Sequence, residues 1–369
     1  MAGEFPGFGQ YFGPKVGGIH SPDPAGGIFK TSCNTFLIKR DNIKPANDIA
    51  EFIASRLFEV TAPEFGAEVF LTNNVMAAIS KNNNPFIGSK FFKNYEDLYK
   101  SWGNKRRSSI RENLQTLSRK ESFTASELAK KNDEGQYIYS GYEQIIVSSL
   151  LIGDFSLHSG NIGVATEKGK KRLVRIDFGA SFKYFTPEVS AFQSISNRFG
   201  FEKNYLKHEH PKERIFCHSF SQELRRVATI DLTKVVFSAW NDVSICFNKT
   251  AIESFGKRIN FSQEQTDIGG YILKILKERQ ASLIKLADII DNYLVSDPVN
   301  QKKIMATLLN ESQRLSRSNS EPPKPIPVSP RISLFKSHSL MQSNNNNSYL
   351  SDDGLCDEDS HNATSNQIK

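Results

Sequence analysis

The sequence predicts an α+β chain of two lobes, a small β-rich one over residues 1–92 and a helical one over 93–312, followed by a disordered Ser/Asn/Pro-rich tail over 313–369. Three observations carry this prediction. Short strand-like runs separated by Gly, Pro and Asn crowd the first ninety or so residues. An apolar run leads into a polar loop and a hairpin between Ile145 and Phe182. Beyond residue 229 the apolar residues fall at helical spacing, until composition changes at Ser316.

Taken in order, residues 1–27 are rich in Gly and Pro. Gly26-Gly27-Ile28-Phe29-Lys30 reads either as a glycine-rich turn between the first two strands, whose amides would face phosphate, or as plain terminal flexibility. Thr35–Lys39 reads as a strand ending in Lys39. A helix follows Pro45, with Asn47 or Asp48 as N-cap and Ile49, Phe52, Ile53 and Leu57 on one face. Glu51 lies on that helix, with Glu59 as the alternative partner for Lys39. Residues 67–72 and 85–92 read as two more strands, parted by Asn82-Asn83-Asn84, and Tyr95–Trp102 starts helically. Residues 103–135 are polar and basic, a solvated face or a surface for an anionic membrane, where each Lys or Arg contributes up to about 1 kcal/mol.

Ile145–Ile152 reads as the end of a buried helix, with strand left open by pattern alone. The loop after it holds Asp154, His158 and Asn161. Ile162–Thr166 and Arg172–Ile176 form a hairpin around Gly169, and the second strand delivers Asp177-Phe178-Gly179. Phosphoryl transfer from ATP is mostly positioning and charge neutralisation. It needs side-chain oxygens for Mg²⁺ and a polar group at the attacking hydroxyl. A loop with an acid or His, then Asn, then a hairpin, then Asp-Phe-Gly supplies those types in that order.

On these residues the chain resembles the kinase superfamily. His158-Ser159-Gly160-Asn161 is similar to the H-x-x-N of phosphatidylinositol 3-/4-kinases and to the loop of small-molecule kinases. Gly-Asp-x-x-x-His-x-Gly-Asn resembles the N-terminal kinase-like domain of LepB-type bacterial effectors. The resemblance implies a bilobal protein-kinase-like fold that binds ATP and Mg²⁺ and transfers phosphate to an inositol-ring hydroxyl. Lys39, held by Glu51, would take the phosphates beside Gly26 and Gly27. Asn161 and Asp177 would bind the metal. The chain departs from the pattern at Ser156, which stands where those families carry the catalytic Asp, five residues before Asn161. Asp154 reaches further, or His158 does the work, or catalysis is damaged.

After Asp-Phe-Gly, residues 183–226 would be an activation segment. Its basic residues, among them Lys183, Arg198, Lys203, Lys207, Arg214, Arg225 and Arg226, would read a phosphorylated headgroup. His208, His210 and His218 lack the spacing of a metal site. Thr186-Pro187-Glu188 lies too near Asp177 for an ordinary protein kinase. Helices are expected over 229–250 and 263–312, with a break at Asp297-Pro298.

The net charge of +7 favours acidic partners. The four cysteines form no C-x-x-C pair, which fits a reducing compartment. No signal peptide or membrane span is read. The tail reads as a solvated segment that also suits a C-terminal secretion signal of type IV export, or a polyproline ligand over Pro322–Pro330. The expectation is a monomer delivered into a host cell without a signal peptide, cytoplasmic there and peripheral on phosphoinositide-containing membrane. It leaves room for a host activator protein and expects no nucleic acid. The rivals are a small-molecule or protein kinase, a pseudokinase scaffold, and a basic adaptor without turnover.

Overall fold

The computed structural model describes residues 5–14, 25–73, 84–101, 128–154, 156–157, 160–183, 185–187, 212–262 and 267–307. The architecture is α+β. Strands β1 (Gln10–Gly13), β2 (Gly27–Lys30), β3 (Thr35–Lys39), β4 (Val69–Thr72) and β5 (Phe86–Lys90) form an antiparallel sheet in the order β1-β2-β3-β5-β4. Helix α1 (Ala46–Thr61) follows β3. A second sheet, ordered β6-β8-β9-β7, combines β6 (Tyr95–Asp97), β7 (Tyr139–Ser140), β8 (Ile162–Glu167) and β9 (Lys170–Arg175). The short helix α2 (Leu98–Ser101) follows β6, and α3 (Tyr142–Ile152) precedes β8. The rest is helical: α4 (Lys212–Ile215), α5 (His218–Ala228), α6 (Thr233–Cys246), α7 (Lys249–Arg258) and α8 (Ile268–Val295), then a helical segment over 298–307. Contacts gather Met1–Glu321 into one compact unit that spans both predicted lobes. The tail over 313–369 lies outside the described residues.

The hairpin forms as its sequence directs. Ile162 pairs with Arg175 and Glu167 with Lys170, around a Lys168-Gly169 turn with φ of 48° and 78°. Positive φ at both turn residues matches the strand twist, and Gly169 takes it without a Cβ penalty. Helix α3 is buried along nearly its whole length, so its apolar run is core on every side. The main core runs from α1 through α3 into α5, α6, α7 and α8.

Several expectations are corrected. Tyr95–Asp97 is a strand, pairing Tyr95 with Ala165 and Asp97 with Gly163, and only Leu98–Ser101 is helical. The open edge of β8 recruits it, an override of local preference that sheet pairing commonly makes. Pro45, not Asn47 or Asp48, occupies the N-cap of α1, without a side-chain cap bond. Asp41 organises that corner instead, accepting from the amides of Ile43 and Lys44 and from Asn47 Nδ2. The stretch expected as one helix over 229–250 breaks at Phe247-Asn248, and α7 begins there, its first turn capped by Asn248 Oδ1 accepting from the Ala251 amide at 2.9 Å. Helix α8 ends at Val295, before Asp297-Pro298 as expected.

Candidate functional site

Strand β3 ends at Lys39, whose neighbour across the sheet is Ile87 on β5. Helix α1 places Glu51 opposite it, and Lys39 Nζ meets Glu51 Oε2 at 2.7 Å. Glu51 is buried, and its other oxygen accepts from Ser89 Oγ at 3.3 Å. Glu59 is spent on Arg56 at 2.9 Å, so Glu51 is the partner of the lysine. Lys39 also reaches Asp177 Oδ1 at 3.5 Å. Burial disfavours the lysine's charge, but the carboxylates of Asp177, Glu51 and Asp48 outweigh it and push its pKa up. Asp48, one turn before Glu51, is pushed up to about 7, chiefly by its own burial, although it accepts from the Asp41 amide at 2.9 Å.

Asp177 comes from the hairpin. The Ile176 amide donates to the Asn161 carbonyl at 3.0 Å, so the two chain ends leave the hairpin side by side. Asn161 and Asp177 are thereby brought to the same end of it. Asn161 Nδ2 donates to Ser156 Oγ at 2.6 Å and to the Ser156 carbonyl at 3.2 Å. Its Oδ1 accepts no hydrogen bond from the described residues. The Asp177 side chain is 47% exposed, while Phe178 is buried against Phe58 of α1, ring centroids 4.7 Å apart. Docking Phe178 under α1 turns Asp177 toward Lys39. The arrangement is kinase-like: a strand lysine, a helix glutamate that holds it, and the aspartate of Asp-Phe-Gly alongside.

Asp154 is placed elsewhere. It is buried, and its Oδ2 takes Arg175 Nη2 at 2.7 Å and Ser181 Oγ at 3.1 Å. Its Oδ1 takes the Ser156 amide at 2.9 Å. The expectation that it faces a substrate hydroxyl is corrected: it anchors the loop to the hairpin and to the turn after Asp177. Arg175, equally buried, also donates to the carbonyls of Asn161 and Ile176. Sequence reading missed Arg175, because an arginine ending a strand looks like a surface residue. His158 lies outside the described residues.

Gly26 and Gly27 close the connection from β1 to β2 and are not joined to Lys39 by any contact described. At Gly27, with φ of 151°, a Cβ would fall 2.6 Å from the Tyr11 ring and 2.7 Å from the Gly13 carbonyl oxygen. Glycine there serves the close approach of two strands. The turn expected at Gly26-Gly27-Ile28-Phe29-Lys30 is corrected: Gly27–Lys30 is strand β2, held between β1 and β3 by antiparallel pairing.

Three arginines of the predicted headgroup reader are taken up by acids. Arg214 is buried in a two-pronged pair with Glu143, at 3.0 and 2.8 Å, and its guanidinium lies over the ring of Tyr137. Arg225 pairs with Asp288 and Asp291 at 2.7 Å each, and Arg226 with Glu223 at 2.6 Å. Arginines taken up by local acids tie helices together. Arg198, Lys203, Lys207, His208 and His210 lie outside the described residues, as does most of the basic stretch 103–135. Among the described residues no group of three or more His, Cys, Asp or Glu could hold a metal, and no helix is long and apolar enough to cross a membrane.

A family model for the LepB N-terminal domain matches residues 89–288, a span that contains Asn161 and Asp177 and begins after Lys39 and Glu51. No curated protein matches the chain. Among solved structures, the Helicobacter pylori proinflammatory kinase CtkA is similar at a TM-score of 0.41 and 14% identity, over 80% of this chain and 98% of that one.

Proposed function

The chain belongs to the LepB N-terminal domain family, and from that premise we propose that it transfers the γ-phosphate of ATP to an inositol-ring hydroxyl of a phosphoinositide. The observation that carries the reading is the Lys39–Glu51–Asp177 cluster, an ion pair of 2.7 Å with a half-exposed carboxylate beside it. The residues fit their groups. Lys39, kept charged by its acids, holds phosphate oxygens, and Glu51 and Ser89 fix its position. Asp177 and the Oδ1 of Asn161 offer the hard oxygens that Mg²⁺ prefers. A magnesium ion there supplies neutralisation of phosphate charge as it develops. His158 handles the acceptor hydroxyl, because both oxygens of Asp154 already accept from protein donors. The protein acts as a monomer peripheral on host membrane and takes no nucleic acid. Basic residues outside the described set meet the lipid phosphates, and a host protein serves as activator.

A second reading has its own observation. Ser156 stands at the position of the usual catalytic acid, hydrogen-bonded to Asn161, and Asp154 is sequestered. That favours a scaffold that binds Mg-ATP without turning it over. ATP consumption by the full chain, measured on vesicles of single phosphoinositides beside His158→Ala and Asp177→Ala, separates the two. Turnover on a lipid, lost in both variants, supports the lipid kinase. Mg-ATP binding without turnover on any lipid, soluble alcohol or peptide supports the scaffold and sinks the first reading.

A further inference from the structure

Helix α7 ends at Arg258, and this arginine joins two parts of the candidate site that are far apart in sequence. Its Nη1 donates to Asn47 Oδ1 at 2.8 Å and to the Ala46 carbonyl at 3.4 Å, at the start of α1. Its Nη2 donates to the Gly179 carbonyl at 2.7 Å and to that of Ser181, in the turn just after Asp177. One planar fork thus spans both elements, a task for arginine and not for lysine.

The turn it grips is strained. Asp177 and Phe182 bracket it with φ of 59° and 63°. An aspartate tolerates that conformation, but a bulky residue such as Phe182 adopts it only where its surroundings leave no alternative. Phe182 is buried, and its ring meets Phe255 edge-on at 5.9 Å. Phe255 lies one turn before Arg258, so α7 offers an apolar and a charged contact to the same turn.

We propose that Arg258 is a positioning residue: it locks the start of α1 to the turn after Asp177, and so keeps Glu51 and Asp177 on Lys39 together. Its consequence for nucleotide binding rests on the phosphoryl-transfer reading, but the lock itself does not. Burial pushes the Arg258 guanidinium down to about 10, so it stays charged at neutral pH.

The test needs no nucleotide. Lys39 is acylated with an amine-reactive ester at neutral pH and the extent read by mass spectrometry, in the full-length chain and in Arg258→Gln, Arg258→Lys and Asn47→Ala. Arg226→Gln serves as a matched control, because Arg226 ties the other end of α1 through the Thr61 carbonyl. Loss of charge-assisted bonds should free Lys39 about tenfold more often in Arg258→Gln, with Arg258→Lys between that and the native chain. Asn47→Ala should show a smaller rise and Arg226→Gln none. Unchanged Lys39 labelling in folded Arg258→Gln overturns the proposal, and so does an equal rise in Arg226→Gln. Should Arg258→Gln not fold, unchanged labelling in Asn47→Ala overturns it instead. A chain that binds no Mg-ATP would sink the nucleotide reading alone, with the Lys39 result still deciding the role of Arg258.

Discussion

Two clusters of paired opposite charges, Asp154–Arg175 and Lys39–Glu51–Asp177, have different fates. In one, Asp154 and Arg175 pair at 2.7 Å with neither side chain exposed, and Ser181 and the Ser156 amide take up the remaining carboxylate capacity. In the other, Lys39 and Glu51 pair at the same distance, but the Asp177 side chain beside them stays 47% exposed. The first has protein donors on both carboxylate oxygens and is shut away from solvent, so it holds structure. The second leaves a half-exposed carboxylate, Asp177, beside the Lys39 ammonium, a pairing that suits a cation and a phosphate. Acid type and loop position alone would have ranked Asp154 with Asp177. Saturation is what separates them.

The sharpest way to break this contrast is to remove Arg175. Arg175→Met leaves Asp154 buried without its cation and should cost about 3–5 kcal/mol of stability, read as a lower urea midpoint. A loss below about 1 kcal/mol would mean that the closed cluster is not the anchor described here.

The opposite profile is expected at the open cluster. Asp177→Asn should lower turnover by about 100-fold or more while leaving the urea midpoint nearly unchanged, since an exposed carboxylate contributes little to folding and Asn tolerates the positive φ there. Lys39→Met should abolish stabilisation by Mg-ATP, measured by thermal denaturation. It should itself unfold more easily, by about 1–3 kcal/mol, because Glu51 is left buried without its partner.

The smallest effect concerns Asp48, beside the open cluster. Its pKa is raised from 3.8 to about 7 in the folded chain. Between those values the folded chain keeps a proton that the unfolded chain has released, so this contribution to stability is fully present below pH 4 and is lost as pH rises through 7. Asp48→Asn should therefore reduce the loss of stability measured by urea unfolding between about pH 5 and 8. An unchanged pH dependence would show that Asp48 ionises normally.

How much of this was legible in the sequence follows from the range of the interactions. Strand Thr35–Lys39, the hairpin and helix α3 depend on local period and turn chemistry, and they form where the pattern puts them. The Lys39–Glu51 pair was legible as a strand followed by an amphipathic helix. The fate of Asp154 was not, because it depends on an arginine 21 residues away that periodicity would send to the surface. Tyr95–Asp97 became a strand only because β8 offered an edge. The grip of Arg258 on residues 77–212 positions away leaves no local trace. Arg214 and Arg225, expected to read a headgroup, are instead paired with acids brought in through tertiary packing, and Arg226 with Glu223 one turn back on its own helix.

The central claim is that the open cluster receives Mg-ATP. The most direct measurement is the melting temperature of the full-length chain with and without excess Mg-ATP, beside Asp177→Asn, a substitution that tolerates the backbone conformation at that position. At about 100 times the dissociation constant, ligand linkage stabilises a folded chain by about 2.7 kcal/mol, a rise of several degrees. The account predicts that rise in the native chain and its near disappearance in Asp177→Asn. No rise in the native chain, or an equal rise in both, would contradict it.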